Sequence, residues 1–562
     1  MPQLIASHKH LEDSDLDPSP PFKNLPPCAQ NHHVNIMNIS HELRNHPDQS
    51  AVTQLLNGLK YGFDIGFRGN FSDTFPKNNS SALKNSEQVS ISINKEIQRG
   101  HTAGPFIEPP FKHNHISPIG AAIKNDGSAR LIMDLSQPSG LSVNDYISKE
   151  EFPTNYVHFD VATTLVRKMG RGCFLSKVDI KHAFRLLPVR PEDWPLLVYF
   201  WDGHYYVDLK LPFGARSSPS IFTNFADLLC WILTTNYSLV VIHYADDYLL
   251  FTIPCLILAK ENLDILLQVF EFLGVPVALD KLVGPATIIV YLGIQINTNK
   301  FTISIPQEKM DEMLILLPKW CSRRTCKKRK LLSLIGKLNF CATVVRAGRI
   351  FVRRLIDLST TAKEMHHHIT LNKDAKEDIH WWCEFLPKWN CHSIIPDPMI
   401  IKSTDIKLFT DAAKTIGFGA VMDRSWIQCA WPPHLVDTDI DYKELFAIMA
   451  ATLTWGSGWS GKRIVFITDN KPITQIWSSG TSQSPALMHL VRKLFLFAAM
   501  HDFSIAFKHI YGHFNEAADA LSRFQDDRFR ALVPNADEHP TPLPTRLWEI
   551  ENHLQRHTAC SS

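Results

Sequence analysis

The sequence predicts a multidomain α/β chain in which two mixed α/β domains flank a helical segment, and three observations carry that expectation. The first is size: 562 residues amount to several domains on a scale of about 100–200 residues each. The second is texture. Short β-branched and aromatic runs separated by helical stretches fill 91–299, and the alternation returns from Lys407. The third is Leu331, Leu332, Leu334, Ile335 and Leu338 at helical spacing within 306–358, which reads as a small helical bundle.

Composition narrows the function classes. Hydrophobic residues at 45% and aromatics at 10% supply substantial cores and argue against disorder over most of the length. With 58 Lys plus Arg against 56 Asp plus Glu, the net charge of +2 gives no global field, so any nucleic-acid affinity must come from local clusters. No apolar run reaches the roughly 18–20 residues of a membrane span; the best, 238–258, is broken by Asp246 and Asp247, and no membrane partner is expected. Residues 1–13 lack the apolar core of a secretory signal, and the 11 scattered cysteines suit a reducing compartment, so a cytoplasmic or nuclear, non-secreted protein is expected.

In chain order, 1–88 is rich in Pro, His, Asn and Ser around one apolar island at 52–67, and reads as a partly disordered extension with a short docking helix. Residues 89–300 form the first α/β domain, 301–365 the helical segment and 366–402 a connection containing Trp381, Trp382 and Trp389. The second α/β domain, 403–526, has strands expected at 406–410, 417–422, 427–431, 463–468 and 504–509, with helices at 442–453, 487–501 and 517–524. The Pro-rich, charged tail, 527–562, reads as extended.

The most informative segment is 243–248, His-Tyr-Ala-Asp-Asp-Tyr, between apolar strands. Adjacent carboxylates repel, and each raises the pKa of the other unless a cation neutralises them. A few hard oxygen ligands with positions left open for phosphates favour Mg²⁺. Alone, an Asp pair commonly marks a hairpin turn. A further acid, Asp179, stands where the apolar strand 173–178 turns toward a helix. Together they resemble the palm of reverse transcriptases, and the resemblance implies two Mg²⁺ ions, with Mn²⁺ as an alternative, held by Asp179, Asp246 and Asp247. The segment 211–219, containing Phe213, resembles the nucleotide-pairing floor of that family; 123–134 resembles its fingers hairpin, where Lys124 and Arg130 would clasp the triphosphate of a dNTP. Phe184, five residues after Asp179, falls at the sugar-gate position, where a bulky ring collides with a 2′ hydroxyl.

Four later acids, Asp411, Glu444, Asp469 and Asp519, lie at two strand ends and in two helices. Their order resembles the ribonuclease H fold and implies a second two-Mg²⁺ site. His509 or His513 would assist it, His509 being favoured by its ten-residue separation from Asp519. The basic run Arg323, Arg324, Lys327, Lys328, Arg329 and Lys330 is either a solvated helix face or, from its density and its position between the two sites, a surface for a duplex backbone. The resemblance thus implies a right-hand polymerase (fingers, palm, helical thumb) followed by a ribonuclease H-like α/β domain. Its implied partners are an RNA template, a DNA primer, an RNA–DNA hybrid and dNTPs. Segments such as 99–106, 117–120, 142–145 and 336–349 look most like the DIRS-like retrotransposon branch. The alternative is a catalytically silent retroelement-derived protein that binds nucleic acid or a partner.

Overall fold

The computed structural model describes residues 34–70, 73–124, 127–389, 392–395, 406–479, 482, 484–501 and 503–549. The chain forms two compact units, residues 1–292 with 296–301, and residues 293–295 with 302–562.

In the first unit, the apolar island extends into ordered helices. Helix α1 (Ile36–Glu42) and α2 (Gln49–Tyr61) start at Asn35 and Asp48, whose side chains accept from backbone N–H groups of the first turn. Val52, Leu55 and Leu59 fall on one face of α2 and are buried. A third helix, α3, spans Ser86–Gln98. The short docking helix expected at the apolar island corresponds to α2, and residues 34–70 and 73–88 are more ordered than the polar composition suggests; residues 1–33 and 71–72 lie outside the described residues. The Asn35 N–H donates to the Leu273 carbonyl and the Phe63 N–H to the Pro188 carbonyl, both at 2.8 Å, tying the segment to the rest of the unit.

Strands β1 (Thr102–Phe106), β2 (Ile119–Ile123) and β3 (Ala129–Met133) follow, β2 and β3 forming an antiparallel hairpin. Helix α4 (Phe159–Met169) leads to β4 (Phe174–Asp179), and a 3₁₀ turn spans Ala183–Leu186. Strands β5 (Val198–Trp201) and β6 (His204–Asp208) join β1 in a sheet of order β1-β6-β5. Helix α5 (Ser218–Trp231), strands β7 (Val240–Tyr244) and β8 (Asp247–Thr252), helix α6 (Leu256–Phe272) and β9 (Val283–Ala286) complete the antiparallel sheet β7-β8-β4-β9. Tyr248, Leu249, Leu250 and Phe251 are all buried, so β8 is covered on both faces and its run is continuously apolar.

The second unit contains, after a short strand at Thr302–Ser304, the helices α7 (Gln307–Cys321), α8 (Lys328–Val344) and α9 (Ile350–Thr360). The all-helical expectation is corrected at Thr325–Lys327, a short strand β10 paired with β11 (His368–Thr370). In α10 (Lys373–Phe385), Trp382 is fully buried and donates to the Phe351 carbonyl, while Trp381 stacks on Phe351 at 3.8 Å. Those contacts explain the density of tryptophan in this connection.

Beyond it lie β12 (Ile406–Ala412), β13 (Gly417–Met422), β14 (Ser425–Ala430), α11 (Ile440–Trp455), β15 (Arg463–Thr468), α12 (Lys471–Ser479), α13 (Pro485–Met500), β16 (Ser504–His509) and α14 (Glu516–Ser522). The sheet order is β14-β13-β12-β15-β16, antiparallel through β12 and parallel beyond it. Every residue from Tyr442 to Leu453 is buried, which makes α11 the central helix of this domain. Helix α12 was not expected; it starts where the Asn470 side chain accepts from the Ile473 N–H at 3.0 Å. The part of the expected extended tail that is described, up to residue 549, instead carries α15 (Asp526–Leu532) and α16 (Arg546–Glu549) and folds back so that Trp426 donates to the Asp537 carbonyl at 2.8 Å; residues 550–562 lie outside the described residues. Among the described residues no helix is long and apolar enough to cross a membrane.

Gly419 faces Asp411 across the β12–β13 pair, and a β-carbon there would run into Leu521 of α14. This close approach holds α14 beside the acids of the domain. Gly419→Ala should lower stability by about 1–3 kcal/mol through overpacking, measured as a drop in the thermal midpoint of the second unit; an unchanged midpoint would mean the helix is free to shift.

Two clusters of carboxylates as candidate active sites

In the first unit, Asp179 closes β4 and Asp247 opens β8, and the two occupy one register position of the antiparallel pair. Asp246 is in the two-residue turn between β7 and β8, where Ala245 takes a left-handed φ of 51°. The Ile180 N–H donates to the Asp246 carbonyl at 3.0 Å, so the turn is fastened to the end of β4. The sheet thereby assembles acids separated by more than sixty residues of chain.

Two lysines that sequence reasoning missed supply counter-charge. Lys281 Nζ donates to Asp179 Oδ1 at 2.9 Å, and Lys177 Nζ lies 3.2 Å from Asp247 Oδ1. Lys177 is two residues before Asp179, on the same strand face, so period-two alternation was an available signal; Lys281 has none, being 102 residues away. Burial pushes Asp246 upward from the usual carboxylate range, and the charges of Asp179 and Asp247 add to it. Asp247 is also raised by burial, Lys177 opposing and Asp179 reinforcing the shift.

Nearby, Phe184 is half-buried between Phe213 and Phe222, with ring centroids at 5.4 and 5.3 Å. The Arg130 guanidinium lies over the Phe213 ring at 5.2 Å, so Arg130, Phe213 and Phe184 form one contiguous row. Gly214 has φ 126°, and a β-carbon there would strike the Met133 carbonyl; this close approach brings 213–214 to the β2–β3 hairpin. Lys124 is exposed at the hairpin end. The residue after Phe184 is Arg185, a fully buried guanidinium bonded to both Asp208 oxygens at 2.8 and 2.9 Å and to Glu96 at 3.0 Å, which anchors the 3₁₀ turn.

In the second unit, Asp411, Glu444 and Asp469 each offer a carboxylate oxygen, all within 4.8 Å of one another. They come from the end of β12, from α11 and from just beyond β15. Burial raises Asp411 to about 6 against a hydrogen bond from Ser522, with Asp469 and Asp519 adding. Burial also raises Glu444 well above its ordinary value, with Asp411 and Asp469 contributing. Glu444 Oε2 is buried without a hydrogen-bond partner. Converging acids with an unsatisfied oxygen fit a hard divalent cation.

Asp519 departs from expectation. Its oxygens accept from Arg523 Nε at 2.6 Å and from an Arg528 guanidinium nitrogen at 2.8 Å, and it is not one of the three converging acids. Burial works to raise its pKa, but the two arginines outweigh that and hold it below the usual value. Its helix nevertheless reaches the cluster, because the Ser522 hydroxyl donates to Asp411 Oδ2 at 2.5 Å. Ser522 and Arg523 follow Asp519 by three and four residues, a helical spacing that could have flagged them. Of the two histidines, His509 places Nε2 3.1 Å from the Asp469 carbonyl, whereas His513 stacks with Tyr511 and Phe514.

The basic run is only partly a free surface. Lys328 Nζ donates to the carbonyls of Ala362 and Lys363, at 2.7 and 3.2 Å, which ties it to the segment after α9. Arg323 lies over Trp320 at 4.9 Å, while Arg324, Lys327, Arg329 and Lys330 are exposed.

Residues 123–296 match the family model described as reverse transcriptase (RNA-dependent DNA polymerase). The chain carries a reverse transcriptase domain. Residues 438–525 match a second model, described as reverse transcriptase-like, and a ribonuclease H-like domain follows the reverse transcriptase domain. Among curated relatives, the Tf2-3 and Tf2-7 transposon polyproteins of Schizosaccharomyces pombe are each 22% identical over 461 residues, covering 77% of this chain. The chain spans only 31% of the length of either. Among solved structures, a foamy viral protease–reverse transcriptase bound to double-stranded DNA shares 16% identity at a TM-score of 0.46, covering 85% of this chain and 82% of that one. The same kind of protein bound to an RNA/DNA hybrid shares 15% at a TM-score of 0.44, covering 84% and 63%.

The raised pKa of Asp411 gives a signed prediction. A group whose pKa is raised by folding contributes stability below its unfolded value, 3.8, and loses it as pH rises through about 6. In chelator, Asp411→Asn should therefore stabilise the protein at pH 8 by up to about 3 kcal/mol, the gain shrinking toward zero near pH 4; equal thermal-midpoint shifts at the two pH values would contradict this.

Proposed function

We propose that this chain is an RNA-directed DNA polymerase with ribonuclease H activity, the two reactions occurring at separate carboxylate sites. The observation that carries the reading is Asp179 facing Asp247 at one register position with Asp246 in the adjoining turn. The second cluster, Asp411 with Glu444 and Asp469, supports hydrolysis of the RNA strand of an RNA–DNA hybrid. Mg²⁺, two ions per site, fits both acid sets; when bound it neutralises phosphate charge and activates the attacking oxygen. Asp179, Asp246 and Asp247 would hold it in one unit. Asp411, Glu444 and Asp469 would hold it in the other, joined by Asp519 once that carboxylate is released from Arg523 and Arg528.

The remaining residues bind and orient. Arg130 and Lys124 carry the charge to meet a dNTP triphosphate, and Arg130 is steadied against Phe213. Phe184, wedged between Phe213 and Phe222, presents a ring that cannot yield easily to a 2′ hydroxyl. Arg324, Lys327, Arg329 and Lys330 would follow the phosphates of a primer–template duplex or hybrid without reading sequence. His509, against the Asp469 backbone, is favoured over His513 as the assisting histidine. Within retrotransposons we favour the DIRS-like branch, on the motifs at 99–106, 117–120, 142–145 and 336–349.

Asp246→Asn should reduce primer extension on an RNA template by about 100-fold or more while sparing hybrid cleavage, and Asp469→Asn should do the reverse. A single substitution abolishing both in a folded protein would contradict separate sites, and an unsubstituted protein with neither activity would favour the silent alternative. Phe184→Val should raise ribonucleotide incorporation about tenfold or more relative to dNTPs; an unchanged ratio would remove Phe184 from sugar selection.

A further inference from the structure

His243 ends three residues before Asp246, yet its side chain belongs to the turn that carries both acids. The ring is buried, at 5% exposure, and both of its nitrogens face oxygen acceptors. Nδ1 lies 3.2 Å from the carbonyl of Ala245, and Nε2 lies 2.8 Å from Asp227 Oδ1 on α5. The ring thus bridges the turn backbone on one side and the Asp227 carboxylate on the other. Tyr248, its register partner on β8, stacks against the ring at 5.3 Å and donates its hydroxyl to the Ala226 carbonyl at 3.0 Å.

The element being held needs holding. Ala245 has a side chain but takes φ 51°, a conformation that L residues adopt only where surrounding structure imposes it. Its carbonyl is the group His243 grips. The adjacent residues Ala226 and Asp227 of α5 thus receive one hydrogen bond from each strand of the hairpin, one directly from Tyr248 and one through His243.

We propose that His243 and Asp227 form a brace that sets the position of the β7–β8 turn, making His243 a positioning residue for Asp246 and Asp247. Neither residue reaches the reacting atoms; both act through the Ala245 backbone. The proposal rests on the reading of Asp246 and Asp247 as polymerase acids, and its consequence is specific. Loss of the brace misplaces the acids by a fraction of an ångström, so the chemical step slows while dNTP binding, supplied by the row from Arg130 to Phe184, persists.

The test uses the full chain with His243→Gln, Asp227→Asn and the double substitution. Asp227 has a side chain 62% exposed, so its replacement leaves the core intact even if the histidine variant folds poorly. His243→Gln should lower kcat for primer extension by about 10- to 100-fold with dNTP KM within about twofold, and hybrid cleavage should stay unchanged. Asp227→Asn should lower kcat less, and the double variant should be no slower than His243→Gln, because the second residue acts only through the first. Hydrogen exchange of a peptide spanning 240–250 should quicken in both single variants, a readout that needs no polymerase activity. Multiplicative effects of the two substitutions, a rise in KM at constant kcat, or unchanged exchange would each overturn the brace. If the unsubstituted chain extends no primer, the polymerase reading fails and the exchange data alone decide the brace.

Discussion

Repulsion between carboxylates is the constraint on which the rest of this structure depends. Each unit folds so that acids from distant segments meet in partly or wholly buried ground, where each charge raises the free energy of its neighbours. The two units answer that repulsion differently. In the first, lysines stand against the acids: Lys281 on Asp179 and Lys177 on Asp247, with Asp246 left to burial and its neighbours. In the second, the cations are one step removed. Arg523 and Arg528 hold Asp519, Ser522 donates to Asp411, and Glu444 sits deepest with one oxygen unsatisfied. A divalent ion would relieve both arrangements, the second more completely, because among the described residues no lysine or arginine is paired with the carboxylate of Glu444 or of Asp469.

The scaffolding around each cluster follows from that need. Asp179 and Asp247 are held at one register position by a sheet whose inner strand, β8, is buried on both faces, and a slipped register would break the hydrogen bond of the Tyr248 hydroxyl to the Ala226 carbonyl. In the second unit, parallel pairing of β12 with β15 sets Asp411 and Asp469 near neighbouring strand ends, and the fully packed α11 delivers Glu444 between them. Ligands of α/β sheets collect at such carboxyl ends because the strands stop there while the helices cross over. Gly419 completes the arrangement by letting α14 approach the sheet.

What the sequence made legible was whatever has a local period or an ordered motif. Strands at 417–422, 463–468 and 504–509 coincide with the observed bounds because their apolar runs are short and cleanly flanked. The acids were legible because charge at the end of an apolar strand is conspicuous. The docking helix expected at the apolar island corresponds to α2, but α1 was not legible, since its few apolar residues are diluted by Asn, Ser and His. Nor was the strand at Thr325–Lys327, whose partner lies some forty residues on at His368–Thr370. More distant partners were invisible for the same reason: nothing near Asp179 announces Lys281, and although Arg523 stands one helical turn after Asp519, nothing announces that Arg528, nine residues on, takes its other oxygen.

Counting bound Mn²⁺ by electron paramagnetic resonance would test the convergence of these acids most directly, since it reads the ion and not turnover. Two independent classes of site are expected, one removed by Asp247→Asn and the other by Glu444→Gln, each substitution leaving the other class intact. Absence of saturable binding, or loss of both classes from either substitution alone in a folded protein, would contradict two separate carboxylate centres.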